Sequence, residues 1–404
     1  MSLKVAIAGG GIGGLAAALA LPSSSTCVTL FEKTNAFSEI GAGIQLGPNV
    51  TRILREWGLL ETVRQVAVAP DRLQVRSAIT ASVLGELRLG KAMALRYGAP
   101  YLTMHRADLH SVLLQAVQQT AVTLQTSSTV QSFQQTPQLV ALQTSRGMQD
   151  ADVLVGADGL WSNTRQQLLN DGPPRLTGHL AYRALVKQAD LPERLRSHSV
   201  TAWLGPHMHA VHYPVKHPVK GDEWLNIVVF IHGDAPGDFQ NWDHSANAAD
   251  LGAALQGSCS ALHNLLDAVP NWRLWVMHDR PPMQGAHQHA LGRVALLGDA
   301  AHPMRPYLAQ GAGMAIEDAA ELVLGLNRAT PQTVPDALQR YAANRWQRNS
   351  RVQARALRNG QIFHATGPLR WGRDAAMKLM GERLLEMPWL YGQHPSSWSV
   401  IYKK

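Results

Sequence analysis

At 404 residues, 46% of them hydrophobic and 16% charged, the chain is long enough for roughly two or three domains with cores of their own and too apolar to be a disordered segment. Lys and Arg number 37 against 29 acids, a net charge of +8 beside 17 histidines, which favours anionic partners. The surplus forms no basic stripe for nucleic acid, and no stretch approaches the ~20 apolar residues of a membrane span, so neither nucleic acid nor membrane is an expected partner.

The first predicted element is a strand, Lys4–Ala8, apolar after its lysine as a strand buried on both faces should be. It runs into VAIAGGGIGGLAAALAL, Val5–Leu21, which imitates a secretory signal. Glycines at positions 9, 10, 11, 13 and 14, each costing a helix roughly 1 kcal/mol relative to Ala, argue for a turn instead and for a cytoplasmic protein. A helix over Leu15–Leu21, a break at Pro22–Ser25 and a strand over Cys27–Glu32 complete a βαβ unit. Gly9, Gly11 and Gly14 form G-x-G-x-x-G at the strand-to-helix turn, and Glu32 ends the second strand eighteen residues after Gly14. The first glycine permits the tight turn, the second lets backbone approach a pyrophosphate, and the third lets helix and strand pack closely. The acid accepts from a ribose hydroxyl. A dinucleotide is expected, and the motif does not separate FAD from NAD.

Farther along, Arg72–Gly90 (RLQVRSAITASVLGELRLG) reads as strands, and Gln125–Gln149, rich in Ser, Thr and Gln, as an exposed hairpin. Asp152–Gly156 (DVLVG) and Arg293–Gly298 (RVALLG) are short apolar runs, strands that deliver loops at their C-terminal ends, where the sites of such sheets lie. Between them, from about Leu180 to Val276, VTAWLG, HAVHYPV and EWLNIVVFIHG alternate as an antiparallel sheet with one covered face should, and Arg72–Gly90 is expected to join it. Asp336 onward is mostly helical. Cys27 and Cys259 have neither metal nor redox spacing and read as buried thiols. In the strand His207–Val215, period-two alternation puts His207, His209, Val211 and Tyr213 on one face and His212 on the other. The H-x-H-x-x-H spacing is therefore no metal site, and no metal is expected.

GADGLWSNTR, Gly156–Arg165, and GDAAHPMRPYLAQGAGMAIEDAA, Gly298–Ala320, each follow one of the apolar strands. Both resemble motifs of the single-component FAD-dependent aromatic hydroxylases, flavoprotein monooxygenases with a p-hydroxybenzoate-hydroxylase-like fold. The family's Asp-Gly motif is matched by Asp158, Gly159, Ser162 and Arg165, and its Gly-Asp motif by Gly298, Asp299, His302 and Pro303. MHRADLH resembles the segment whose arginine, here Arg106, contacts FAD. The likeness extends to Trp389–Gly392 and is nearest in character to the salicylate hydroxylase, 3-hydroxybenzoate 6-hydroxylase and 6-hydroxynicotinate 3-monooxygenase group.

The resemblance implies an α/β architecture: a Rossmann-like FAD-binding domain (1–71, 104–178 and 277–333), a discontinuous antiparallel-sheet substrate domain (72–103 and 179–276) and a helical C-terminal region (334–404). It implies a monomer or homodimer that binds FAD and uses NADH or NADPH and O2. The expected substrate is a small anionic phenol or hydroxy-N-heteroaromatic, such as a hydroxybenzoate, salicylate or hydroxynicotinate. Hydroxylation, with or without loss of a carboxylate, would proceed through a flavin hydroperoxide.

Beside Gly9, Gly11, Gly14 and Glu32, the resemblance assigns Lys33, Arg106, Val130, Asp158, Asp299, Gly311, Ala312 and Gly313 to the cofactor. Asp299 would accept from the ribityl chain, and a helix from about Met314 would turn its positive N-terminus to the anionic reduced flavin. Gln45 either reaches the flavin from the other side or steadies its own loop. A phenol with a pKa near 10, as for Tyr, is only about one part in a thousand ionised at pH 7, so the ring needs a base or a positive setting. The likeness to the hydroxybenzoate and hydroxynicotinate enzymes falls on His209 as that base, and for the latter on Tyr213 as well. A histidine on an amphipathic strand is otherwise more often structural. Arg183 either pairs bidentately with a substrate carboxylate, contacts flavin, or supports the junction between domains. Pro306, assigned to the substrate, lies with Tyr307 where hydroxybenzoate hydroxylases place a substrate-contacting Gln.

Two other readings stay open. A flavin-dependent halogenase of the tryptophan type carries W-x-W-x-I-P, for which Trp272 and Trp275 are wrongly spaced. A non-catalytic flavin-binding module would hold FAD without substrate-stimulated NAD(P)H oxidation. Two-Rossmann monooxygenases and disulfide reductases would need a second glycine fingerprint or a C-x-x-C pair, and the sequence has neither.

Overall fold

Leu3–Ala8, buried at every position but Lys4, becomes a central strand because both of its faces are apolar. It pairs in parallel with Thr26–Phe31 and with Val153–Gly156, and Thr123–Gln125 and Val294–Leu296 extend the ladder in parallel on the two sides. The antiparallel Ala290–Leu291 completes a six-stranded sheet. The computed structural model describes residues 2–21, 25–37, 42–216, 222–234, 243–245 and 248–392.

The first helix, Ile12–Ala20, starts inside the glycine motif and not at Leu15. A Cβ at Gly14 would lie 1.9 Å from the Gly9 carbonyl oxygen, and one at Gly13 would lie 2.7 Å from Leu297 Cδ1 and 3.3 Å from Ala315 Cβ. Close packing on the strand and on the helix Gly311–Leu326 therefore requires the glycines that helix propensity alone disfavours.

A second, eight-stranded sheet runs in the order Asp243–Ser245, Arg273–Asp279, Arg175–Lys187, Glu223–His232, Met208–Lys216, Val200–Gly205, Arg72–Ser77, Val83–Arg88. Its neighbours are antiparallel except for Val200–Gly205, which pairs in parallel with Arg72–Ser77. One face packs Leu180, Tyr182, Trp203 and Ile227 against Leu251 of the helix Ala248–Ala254 and Leu262 and Leu265 of the helix Ser260–Asp267. Burial of each such side chain contributes roughly 1.5–3 kcal/mol. The opposite face turns towards the first sheet: Val228 and Phe230 meet Tyr307, while Tyr213 and Val215 cluster with Tyr101, Leu308 and Met314.

The expected hairpin is a three-stranded antiparallel sheet, Val130–Gln135, Val140–Thr144 and Gly147–Ala151, with Gly147 at φ 117° turning the chain into the third strand. The cysteines are not buried as expected. Cys27 is exposed near the start of its strand, and Cys259 is half-buried as the N-cap residue of Ser260–Asp267. The helix Val334–Phe363 is 30 residues long, about 45 Å at 1.5 Å per residue. It lays Tyr341, whose hydroxyl donates to the Leu296 carbonyl at 2.9 Å, against the first sheet and brings Gly360 to Tyr307 beneath the second. Helices Gly367–Met380, Glu382–Leu385 and Pro388–Tyr391 follow, and residues 393–404 of the expected helical region lie outside the described residues. Among the described residues, no helix is long and apolar enough to cross a membrane.

Candidate active site

Three loops meet at the C-terminal ends of the parallel strands. In the first, Gly9 stands at φ 106°, donates its N–H to the Phe31 carbonyl at 2.8 Å, and lies so close to the second loop that a Cβ would sit 2.4 Å from the Ala157 carbonyl oxygen. Gly11 caps the helix Ile12–Ala20, and Gly10 N–H donates to Glu32 Oε2 at 2.7 Å. Thr34 N–H and Oγ1 donate to Oε1 at 2.9 and 2.8 Å, so Glu32 is fixed beside the glycine turn with acceptor capacity left at Oε2 for a hydroxyl donor. Lys33 is exposed next to it, and Val130 is buried with Ala8 and Phe31. Arg106 opens the helix Arg106–Gln118, its N–H donating to the Ala42 carbonyl at 2.7 Å.

In the second loop, Asp158 turns its carboxylate inward: Ser162 Oγ donates to Oδ1 at 2.5 Å, and Thr164 N–H and Oγ1 donate to Oδ2, both at 2.9 Å. Gly159, at φ 77°, completes the bend. Arg165 ties this loop to the third by donating to the Ala300 and Ala301 carbonyls while paired with Asp171 at 2.6 Å. The third loop carries Asp299 on the short turn Gly298–Ala300, facing the helix that begins at Gly311 rather than Met314. A Cβ on Gly311 would lie 4.0 Å from Asp299 Oδ1, so Gly311 and Ala312 form a first helical turn whose N–H groups lie next to that acid. Gly313 has a different reason to lack a side chain, since its Cβ would sit 2.8 Å from Val50 Cγ2 of the helix Pro48–Glu56.

Of the residues that hold this helix in place, Gly298 and His302 were noted in the sequence only as members of the Gly-Asp motif, and the others were not singled out. Asp318 accepts from His302 Nε2 at 2.5 Å, Gly298 N–H at 3.0 Å, Arg345 Nε at 2.8 Å and Asn349 Nδ2 at 2.9 Å. Glu317 accepts from Asn49, Arg345 and Arg348 at 2.8, 2.9 and 2.6 Å. Burial alone would raise the Asp318 carboxyl; His302 and Arg345 outweigh it and hold it well below the usual carboxylate range. Two adjacent acids inside the apolar, Ala-rich MAIEDAA helix are the sequence signal for such a network.

The other half of the site is the inner face of the eight-stranded sheet. Pairing aligns His209 with Phe230 and Ala181, Val211 with Val228 and Arg183, and Tyr213 with Asn226 and Leu185. His207, expected on this strand, stands at φ 58° in the turn before it, since the strand begins at Met208. Arg183 lies 3.9 Å over the Trp275 ring, and burial pulls its pKa down to about 10, with Tyr213 opposing and Arg106 reinforcing the shift. Its Nε and the Nδ2 of Asn226 are buried donors with no hydrogen-bond partner, while Asn226 Oδ1 accepts from Gly43 N–H at 2.8 Å. Such donors call for an acceptor. Gln45 links two tyrosines: Tyr101 donates to its Oε1 at 2.6 Å, and the Tyr213 hydroxyl is hydrogen-bonded to it. Burial pushes the Tyr213 hydroxyl well above its ordinary pKa, Arg183 only partly offsetting it, so Tyr213 is a neutral donor.

At the far end of this face, His209 is 1% exposed, stacked on Phe230 at 4.5 Å and edge-on to Tyr307 at 4.7 Å, with half-buried Pro306 preceding that tyrosine. His209 Nδ1 lies 2.7 Å from His364 Nε2, and His364 Nδ1 lies 2.9 Å from Nε2 of exposed His232. His179 meets the Tyr307 hydroxyl at 2.5 Å, and Arg305 stands 3.4 Å from its other nitrogen. Tyr307 comes from a loop and His364 from a helix end, which no periodicity connects to His209, whereas His232 ends the strand Glu223–His232 two residues beyond Phe230, the partner of His209. Burial, reinforced by neighbouring rings, holds His209 well below 6.5, His179 at about 4 and His364 at about 3. Unfolded histidines take up protons near pH 6.5, so between there and about pH 3 the unfolded chain binds more protons than the folded one. Stability is full above pH 6.5 and drains as pH falls. The melting temperature is expected to drop steadily from pH 6.5 to 4, and less steeply in His364→Gln; parallel profiles would contradict the neutral cluster.

Residues 2–356 match the FAD binding domain family. The 3-hydroxybenzoate 6-hydroxylase of Polaromonas naphthalenivorans (strain CJ2) is 38% identical over 395 residues, covering 96% of this chain and 96% of its own. The chain belongs to the single-component FAD-dependent aromatic hydroxylases. This hydroxylase is also 34% identical over 361 residues to the 6-hydroxynicotinate 3-monooxygenase of Bordetella bronchiseptica (strain ATCC BAA-588 / NCTC 13252 / RB50), covering 87% of this chain and 89% of that one. Its fold is similar to that of a salicylate hydroxylase substrate complex, with a TM-score of 0.83 and 28% identity over 99% of this chain and 98% of the other. The hydroxylase is therefore an FAD-binding enzyme with the expected Rossmann-like domain, discontinuous sheet domain and helical C-terminal region. The glycine turn fits the dinucleotide fingerprint, because a Cβ at Gly9 would meet the Ala157 carbonyl and one at Gly14 the Gly9 carbonyl, so the tight turn and the close helix–strand packing both require glycine.

Proposed function

We propose that this hydroxylase adds one oxygen atom of O2 to a small anionic aromatic ring bearing a hydroxyl group, of the hydroxybenzoate or hydroxynicotinate class, with NADH or NADPH as reductant. The observation that carries this reading is the inner sheet face, with the unpartnered donors of Arg183 and Asn226 towards one end and the buried, neutral His209 at the other. FAD, held by Gly11, Glu32, Arg106, Asp299 and the turn Gly311–Gly313, supplies electron transfer and oxygen activation when bound. Arg183 meets the substrate carboxylate, and Tyr213, kept neutral and aimed by Gln45, donates to the same end. His209 lies four residues from Tyr213, about 13 Å along the strand at ~3.3 Å per residue, so the two residues grip opposite ends of one small ring.

With Nδ1 of His209 engaged by His364, its Nε2 is the nitrogen that accepts the ring hydroxyl's proton. The Nδ1 proton then passes to His364 Nε2, the His364 Nδ1 proton to His232 Nε2, and His232 releases its own to solvent. Each ring ends neutral in its other tautomer, which suits a cluster whose burial disfavours charge. The relatives named for 3-hydroxybenzoate and 6-hydroxynicotinate support this substrate class. A panel of hydroxybenzoates and hydroxypyridine carboxylates tests it: at least one member should drive NAD(P)H and oxygen consumption in equal amounts with hydroxylated product. Peroxide as the sole product of every member would refute the class.

A further inference from the structure

On the face of the eight-stranded sheet opposite His209 lies a cavity of about 360 Å³ between the sheet and the helix Ser260–Asp267. Four of its lining residues are basic, Arg76, Arg194, Arg196 and His212, and none is acidic. Two buried side chains line it without satisfying their polar atoms. Trp203, 5% exposed, has no partner for Nε1, and His212, 6% exposed, has none for Nδ1. A buried indole N–H is ordinarily hydrogen-bonded, so its lack of a partner here marks a missing acceptor. Ser260 and Asn264 from the first turns of the helix line the same space, adding hydroxyl and amide groups and the positive helix end. The guanidinium of Arg76 lies 5.5 Å from the Trp203 ring centre. Arg196 directs Nε and one Nη at the Leu191 and Ala189 carbonyls, whereas Arg76 gives only its Nε to Gln74 Oε1, so Arg76 and Arg194 have more donors left for a ligand.

From this arrangement we infer a second ligand site, for a small organic carboxylate: the carboxylate accepts from Trp203 Nε1–H and His212 and faces Arg76 and Arg194, while its apolar stem lies against Leu195 and Leu265. The volume exceeds what an inorganic oxyanion fills, which favours an organic acid. The strand Met208–Lys216 presents His212 to this cavity and His209 and Tyr213 to the active site, so the two sites share one strand and neither uses the other's side chains. This inference is independent of the substrate proposed above.

Calorimetric titration of the FAD-loaded enzyme with hexanoate, and separately with inorganic phosphate, tests it. Hexanoate is expected to bind saturably, at least tenfold more weakly in the Arg76→Gln/Arg194→Gln double variant and in Trp203→Phe, which removes one donor and keeps an aromatic ring. Binding in Arg183→Gln, altered in the active site, should equal wild type. Phosphate binding without hexanoate binding would overturn the organic-acid assignment. Absence of saturable binding of either probe, hexanoate binding unchanged in both Arg76→Gln/Arg194→Gln and Trp203→Phe, or hexanoate binding lost in Arg183→Gln would overturn the site.

Discussion

Replacing His209 with Gln is expected to leave FAD bound and to lower hydroxylation at pH 7 about 100- to 10,000-fold, the range for loss of a positioned base. The pH dependence separates a base from a structural histidine. Wild-type His209, held well below pH 6.5 by burial and by His364 and His179, stays a competent acceptor across the neutral range. In the variant, the ring hydroxyl must ionise unaided, so with a phenol pKa near 10 its rate should rise about tenfold per pH unit between pH 6 and 9. His364→Ala keeps the base but cuts its outlet at the 2.7 Å contact, and its smaller defect should be relieved by added imidazole. Equal pH profiles for wild type and His209→Gln would remove His209 from the chemistry; no response of His364→Ala to imidazole would remove the relay.

The largest effect on the folded state is expected from Asp318→Asn, a loss of about 3 kcal/mol or more together with loss of FAD on purification. Four donors converge on this fully buried carboxylate, from His302, Gly298, Arg345 and Asn349. An amide of the same shape turns its own donors towards them and leaves Arg345 balanced by Glu317 alone. The consequence reaches the cofactor because the Gly298 N–H bond to Asp318 holds the turn carrying Asp299, and the same carboxylate anchors the helix whose first turn is Gly311–Gly313. Denaturant unfolding and the ratio of visible to ultraviolet absorbance check both parts; wild-type stability with full FAD would contradict them.

The first βαβ unit was legible because its glycines, strand and acid are local in sequence, and the two later motifs because each follows a buried apolar run. Alternation assigned the face of His209 and Tyr213 correctly. It erred at His207, where a positive φ ends the strand, a feature carried by the turn and not by periodicity. The start of the helix at Gly311 was hidden by glycines that propensity places outside helices and that close packing against Val50 brings in. His364 was illegible, and so were the contacts of His232 and Tyr307, because they depend on tertiary meetings of distant segments: His232 and His364 are 132 residues apart, and His209 and His364 are 155 apart. The carboxylate network at Asp318 lay in a motif that was read only for its glycines.

The central claim, that the FAD held at the three loops delivers oxygen to a ring lying on the inner sheet face, is tested most directly with isotopically labelled dioxygen. With NADH or NADPH and the best aromatic acid of the panel, the account predicts product carrying one labelled oxygen atom for each nicotinamide oxidised. Product with unlabelled oxygen, or nicotinamide oxidised with label recovered only in peroxide and water, would contradict it.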